Sequence, residues 1–229
     1  MTDIKERPIL FSAPMVRAIL EGRKTVTRRE VKKRAALDCL AAGFEPAFLA
    51  LPGNADMCPY GQPGERLWVR ETWGVISHDF DEHGNMVDWK PDRPASAIRE
   101  MRFGQGYYSG HVIYRADGEA TWAGDDDGGG DDRSAWKPSI HMPRIASRIL
   151  LEITAVRVER LQDITYEEAV AEGVHRDSAC RMWTATDEGG ACRKYPVLAF
   201  RDLWSGINGA EAWDANPWVW VVEFERVTR

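Results

Sequence analysis

Lys24, Thr25 and Thr27 lie within four residues of one another, and Arg28 and Arg29 follow directly. A threonine hydroxyl is a poor nucleophile until a neighbouring base takes its proton. A lysine amine can be that base once burial or a nearby cation lowers its pKa towards neutrality. Arg23, Arg28 and Arg29 are the cations at hand. The chemistry within reach is attack on an acyl carbon, with Arg29 holding the oxygen on which charge develops, or a ligand phosphate. The plainer alternative is a solvated basic face. Threonine is an ordinary strand residue, and a lysine after a helix-capping glycine complements the helix dipole.

The elements that must position these groups are legible around them. Pro14 suits a first helical turn, where no backbone N–H bond is lost. Met15, Val16, Ile19 and Leu20 recur at helical spacing. Gly22 stands where a helix ends, since glycine enters the left-handed capping conformation without steric cost. After it the period changes to two, so that Thr25, Thr27 and Arg29 share one face of a strand with Val26 on the other. Ile9-Leu10-Phe11 reads as a first short strand before the helix.

With 229 residues, 44% hydrophobic and 29% charged, the chain is long enough for a sizeable core. No apolar run approaches the roughly 18 residues that span a bilayer, and the first residues lack the apolar core of a secretory signal. The expected setting is the cytoplasm (the host's, if a phage encodes the chain), with no membrane partner. The net charge of −6 argues against coating nucleic acid by bulk electrostatics. The distribution is uneven, however: between Arg17 and Arg34 eight basic residues face two acids, Glu21 and Glu30. Such a patch could hold a phosphate or an RNA backbone. The four cysteines, Cys39, Cys58, Cys180 and Cys192, contain no CxxC pair and read as thiols. A zinc site from His175, Cys180 and Cys192 matches no standard spacing, and no metal or cofactor is implied.

Further along, Arg34 to Ala42 could be helical, and Arg66-Leu67-Trp68-Val69-Arg70 reads as a strand with one wetter face. Residues 74–110 are polar and broken by proline and glycine; His111 to Arg115 reads as a strand. The acid- and glycine-rich run 124–132 reads as a flexible loop. Arg148 to Arg160 is the strongest strand signal. Its apolar parity shifts from Ile149, Leu151 and Ile153 to Val156 and Val158, which implies a bulge near Thr154-Ala155. Thr165 and Glu168 form a capping box, Gly173 a stop. Ala199 to Trp204 reads as a short helix, and Trp218 to Glu225 as a closing strand. Among ten tryptophans, Trp68, Trp73 and Trp218 are candidates for stacking on a base, with core packing as the alternative. Arg28, Arg29 and Arg70 are the candidate contacts to a nucleoside or RNA ligand.

The run from Leu20 to Arg29 resembles the signature of the ASCH family, small PUA-like β-barrel proteins related to RNA-binding modules. The fuller pattern from Pro8 is similar to a longer branch carried by phages and prophages. The resemblance implies a mixed α+β fold, a PUA-like small β-barrel with short helices and two long insertions, as one domain over residues 1–229. Its core segments would be about 8–30, 60–73, 111–116, 140–173 and 198–227, with additions at about 74–110, 117–135 and 174–196. Some members of the family are amidohydrolases that remove the acetyl group of N4-acetylcytidine with a lysine, a threonine and a glutamate. On the motif these match Lys24 and Thr27, and Glu172 is the counterpart of the glutamate, with Glu167 and Glu168 nearby. Glu172 would position the lysine or donate a proton to the leaving amine. The other functions the resemblance admits are a noncatalytic module that binds RNA or a modified base, and an RNA-cleaving protein.

Overall fold

A computed structural model describes residues 4–120 and 135–228. The acidic run 124–132 lies outside the described residues. The chain is mixed α+β and forms two compact units: residues 1–7, 18–67 and 149–229 make the first, residues 8–17 and 68–148 the second.

In chain order the elements are β1 (Glu6–Leu10), α1 (Ala13–Leu20), β2 (Val26–Glu30), α2 (Arg34–Ala41), α3 (Pro46–Leu49), β3 (Arg66–Arg70), β4 (Trp73–Ile76), β5 (His78–Phe80), β6 (Met86–Asp88), β7 (Ser96–Phe103), β8 (Gly106–Tyr114), β9 (Leu150–Arg160), α4 (Tyr166–Ala171), β10 (His175–Arg176), β11 (Trp183–Thr184), α5 (Pro196–Asn208) and β12 (Trp218–Arg226). Among the described residues no sheet closes on itself; the largest runs β1-β3-β9-β12-β2.

In the first unit β12 is the central strand, antiparallel to β2 on one side and β9 on the other. Its register places Val222 opposite Thr27, Val221 opposite Arg28 and Trp220 opposite Arg29. The parity change in β9 is a bulge: Glu223 pairs with Ala155 but Phe224 with Ile153, leaving Thr154 unpaired. Val26, Val219 and Val221 pack against α4 and α5 through Ala169, Ala199, Phe200 and Trp204. Truncating a buried aromatic such as Phe200 to alanine costs about 3–5 kcal/mol.

The second unit holds the sheet β4-β8-β7 over a core of Trp73, Val75, Met101, Val112, Tyr114, Met142 and Ala146. The stretch 74–110, polar in sequence, therefore contains β5, β6 and β7 and parts of β4 and β8. Only Met101 of β7 is buried, so cross-strand pairing with β8 rather than apolar alternation makes this a strand. Arg148 joins Glu71 at 2.9 Å and Asp117 at 2.6 Å, and burial pushes the Glu71 carboxyl up despite that arginine.

Two of the four expected thiols are joined: Cys180 is disulfide-bonded to Cys192, whereas Cys39 and Cys58 are free. The bridge between Trp183 and Arg193 brings the flanking chain together, and the Cα atoms of the two cysteines lie 6.8 Å apart. No helix among the described residues is long and apolar enough to cross a membrane.

Candidate active site at the Lys24–Glu172 corner

The corner is built by two chain reversals that meet. α1 ends at Gly22 with φ +75°, and the amides of Arg23 and Lys24 both donate to the Ala18 carbonyl, at 2.8 and 3.0 Å. On the other side α4 starts at its capping box, in which the Thr165 hydroxyl accepts from the Glu168 amide and the Glu168 carboxylate from the Thr165 amide. α4 ends with Glu172 as its C-cap. Gly173 has φ +102°, and a Cβ there would come within 3.1 Å of the Ala18 Cβ and 3.4 Å of the Lys24 Cβ. Both the backbone angle and the close approach require glycine. The reversals lie side by side, so that Lys24 and Glu172 form an isolated antiparallel bridge and the Thr25 amide donates to the Ala171 carbonyl.

Lys24 is 2% exposed and Glu172 3%. The Lys24 Nζ donates to the Glu172 Oε2 at 2.6 Å, to the Glu172 carbonyl at 2.9 Å and to the Val26 carbonyl at 2.9 Å. The C-terminal end of a helix favours a cation there. Burial nevertheless pulls the Lys24 pKa below the ordinary lysine value; Glu172 resists that pull, and Arg29 and Arg28 add to it. Thr27 is also buried, one residue past the Val26 carbonyl that the lysine holds.

β2 sends its side chains to two faces. Thr27 and Arg29 lie on the face of Val222 and Trp220; Arg28 lies on the face of Val221, towards Phe200 of α5, whose ring centroid is 6.0 Å from its Cζ. Thr25, expected on the Thr27 face, precedes the strand and lines an open cleft of about 440 Å³ with Arg157, Glu168 and Glu223. Arg28 is fully buried and surrounded by carboxylates: Glu159 at 2.6 Å, Glu168 at 2.8 Å and Glu172 at 3.5 Å. Burial raises the Tyr60 phenol pKa, and the charge of Arg29 acts in the opposite direction.

The structure thus joins Lys24 and Arg28 through the two oxygens of Glu172, with Thr27 and Arg29 flanking Arg28 on the opposite face of β2. Trp218 lies at the far end of that strand, where its carbonyl accepts from the Val31 amide, and is half-buried with Arg160 stacked on it at 4.2 Å. In the second unit Trp73 is fully buried against Phe103, and Trp68 is buried with Arg70 at 4.7 Å over its ring. Arg70 also donates to the Ile140 carbonyl. The residues that sequence reasoning missed are Tyr60, Arg157 and Glu159. For the last two a signal was present: they alternate with Val156 and Val158 on β9, and such charges on a covered face need partners. Among the described residues, the metal-ligating types that cluster are Asp177, Cys180 and Cys192, the two cysteines being joined in the disulfide, whereas the His175 Nδ1 faces the Arg23 Nη1 at 3.4 Å.

The chain matches no known family model, no characterised protein and no solved structure.

Proposed function

We propose that the chain is an amidohydrolase acting on acylated pyrimidine nucleosides such as N4-acetylcytidine, built on a PUA-like ASCH scaffold and working in the cytoplasm. The observation that carries this reading is the buried Lys24–Glu172 pair, with Thr27 buried three residues along the chain from Lys24. A buried lysine with a lowered pKa, held by a carboxylate, is suited to proton transfer, and the buried Thr27 supplies a hydroxyl three residues on in the chain. In this reading the neutral Lys24 amine takes the proton of Thr27 as its Oγ1 attacks the acetyl carbon. Arg29 stabilises the negative oxygen of the tetrahedral intermediate. The cytosine amine leaves with the proton returned by Lys24, and water then hydrolyses the acyl-threonine to acetate and free threonine. Glu172 orients the lysine throughout. A noncatalytic RNA reader needs its arginines free for phosphates, and the enclosure of Arg28 among three carboxylates favours the hydrolase.

The test is incubation with N4-acetylcytidine, with conversion to cytidine followed by chromatography. Turnover that is lost in Lys24→Ala, Thr27→Ala and Glu172→Ala variants that remain folded supports the reading, because groups acting as a unit are strongly non-additive. Absence of turnover in the wild type, together with salt-sensitive RNA binding, would assign the chain to the readers instead.

A further inference from the structure

Arg28 and Arg157 form a closed ring with Glu159 and Glu168. The Glu159 Oε1 accepts from Arg28 at 2.6 Å and its Oε2 from Arg157 at 3.1 Å. The Glu168 Oε2 accepts from Arg28 at 2.8 Å and its Oε1 from Arg157. Each carboxylate therefore has its two oxygens divided between the same two guanidinium groups. Arg157 also reaches Glu223 on β12. The ring fixes Arg28 from β9 and from α4, and Phe200 of α5 is the aromatic neighbour of its guanidinium. Towards the corner the same guanidinium has one further partner, the Glu172 Oε1. The other oxygen of that carboxylate lies on the Lys24 Nζ.

We propose that Arg28, held by this ring, is a positioning residue: it takes one oxygen of Glu172 and so presents the other to Lys24. A carboxylate bridging two buried cations, here with Arg28 at 3.5 Å and Lys24 at 2.6 Å, has far fewer orientations than one held by a flexible lysine alone. The catalytic consequence rests on the hydrolase reading above; the positioning itself does not. The charged groups that bear on Lys24 are Glu172 at the end of α4 and Arg28 and Arg29 on β2. Behind Arg28 stand Glu159 and Arg157 on β9, Glu168 on α4 and Glu223 on β12.

The experiment follows the Lys24 Nζ resonance against pH in ¹⁵N-lysine-labelled protein, for the wild type, Arg28→Gln, Arg28→Lys and Glu159→Gln. Positioning predicts that in Arg28→Gln the Glu172 carboxylate leaves the ammonium, so that burial is opposed less and the Lys24 pKa falls further. Arg28→Lys keeps a cation in the ring and recovers part of the wild-type value. Glu159→Gln, which touches neither Lys24 nor Glu172, moves it in the same direction by less, and keeps the test open if Arg28→Gln does not fold. A Lys24 pKa that rises in Arg28→Gln would show that Arg28 acts only as a nearby like charge; one that stays put would show that it only packs. Either result overturns the proposal. With N4-acetylcytidine as substrate, Glu159→Gln should lower kcat with KM near wild type, and Arg28→Gln should lower kcat on the order of 100-fold. A wild type that does not hydrolyse this substrate while Lys24 responds as described removes the hydrolase reading and leaves the positioning role. A wild type that does hydrolyse it while Lys24 is unmoved does the reverse.

Discussion

The Lys24 Nζ and the Glu172 Oε2 lie 2.6 Å apart although 148 residues separate them in the chain. The contact joins the end of one short helical turn to the end of another, and both groups are buried. Ion pairs in such surroundings are asymmetric: breaking one is costly, whereas replacing both partners with apolar groups need not be.

The first prediction uses that asymmetry. Glu172→Leu leaves the Lys24 ammonium buried without its carboxylate and should cost about 3–5 kcal/mol. The double variant Lys24→Met/Glu172→Leu should recover most of that loss while remaining inactive. Urea denaturation of both variants and the wild type measures it. A double variant less stable than the single one would refute the argument.

The pH dependence of stability follows from two groups. Lys24 has its folded pKa below the ordinary lysine value of 10.5, so between the two values the unfolded chain binds more protons. Stability should therefore rise with pH through that window, and this rise should vanish in Lys24→Met. Glu168 is also shifted down, but this shift favours its charged form. Burial would raise its pKa, but the Thr165 amide, Arg28 and Arg157 outweigh burial and hold it below 4.5. Its contribution is present above 4.5 and lost as pH falls through the folded value. Glu168→Gln should flatten the acid limb of a thermal-melt series taken against pH.

The two glycines of the corner should differ in tolerance. At Gly22 the backbone is left-handed but the space is open, so Gly22→Ala should cost about 1–2 kcal/mol. At Gly173 an added Cβ also meets Ala18 and Lys24, so Gly173→Ala should cost more and should reduce turnover of N4-acetylcytidine as well. Equal losses in chemical denaturation would show that the close approach is relieved by movement.

The tryptophans should separate by burial. Trp73→Ala removes a fully buried ring from the core of the second unit and should cost about 3–5 kcal/mol. Trp218→Ala removes a half-buried ring under Arg160 and should cost much less. Thermal melts distinguish them. A Trp218→Ala variant that keeps its stability but loses affinity for cytidine would give that residue the stacking role its composition suggested.

Much of this corner was legible because its determinants are local. Proline and glycine bound α1, the Thr165–Glu168 pair starts α4, and the parity shift in β9 marks the bulge, each set by hydrogen bonds or periodicities a few residues long. Strand alternation likewise placed Thr27 and Arg29 together. Alternation does not say which face a helix will cover, however. Arg28 therefore read as a ligand contact or as part of a solvated basic face, and only the packing of α4, α5 and β9 made it the buried centre of an ion-pair ring. β7 stayed hidden because pairing with β8, rather than burial of its own side chains, makes it a strand. Residue types and short spacings determined which groups could do chemistry. Contacts between Lys24 and Glu172, and between Arg28 and three distant glutamates, belong to long-range packing, which no local pattern encodes.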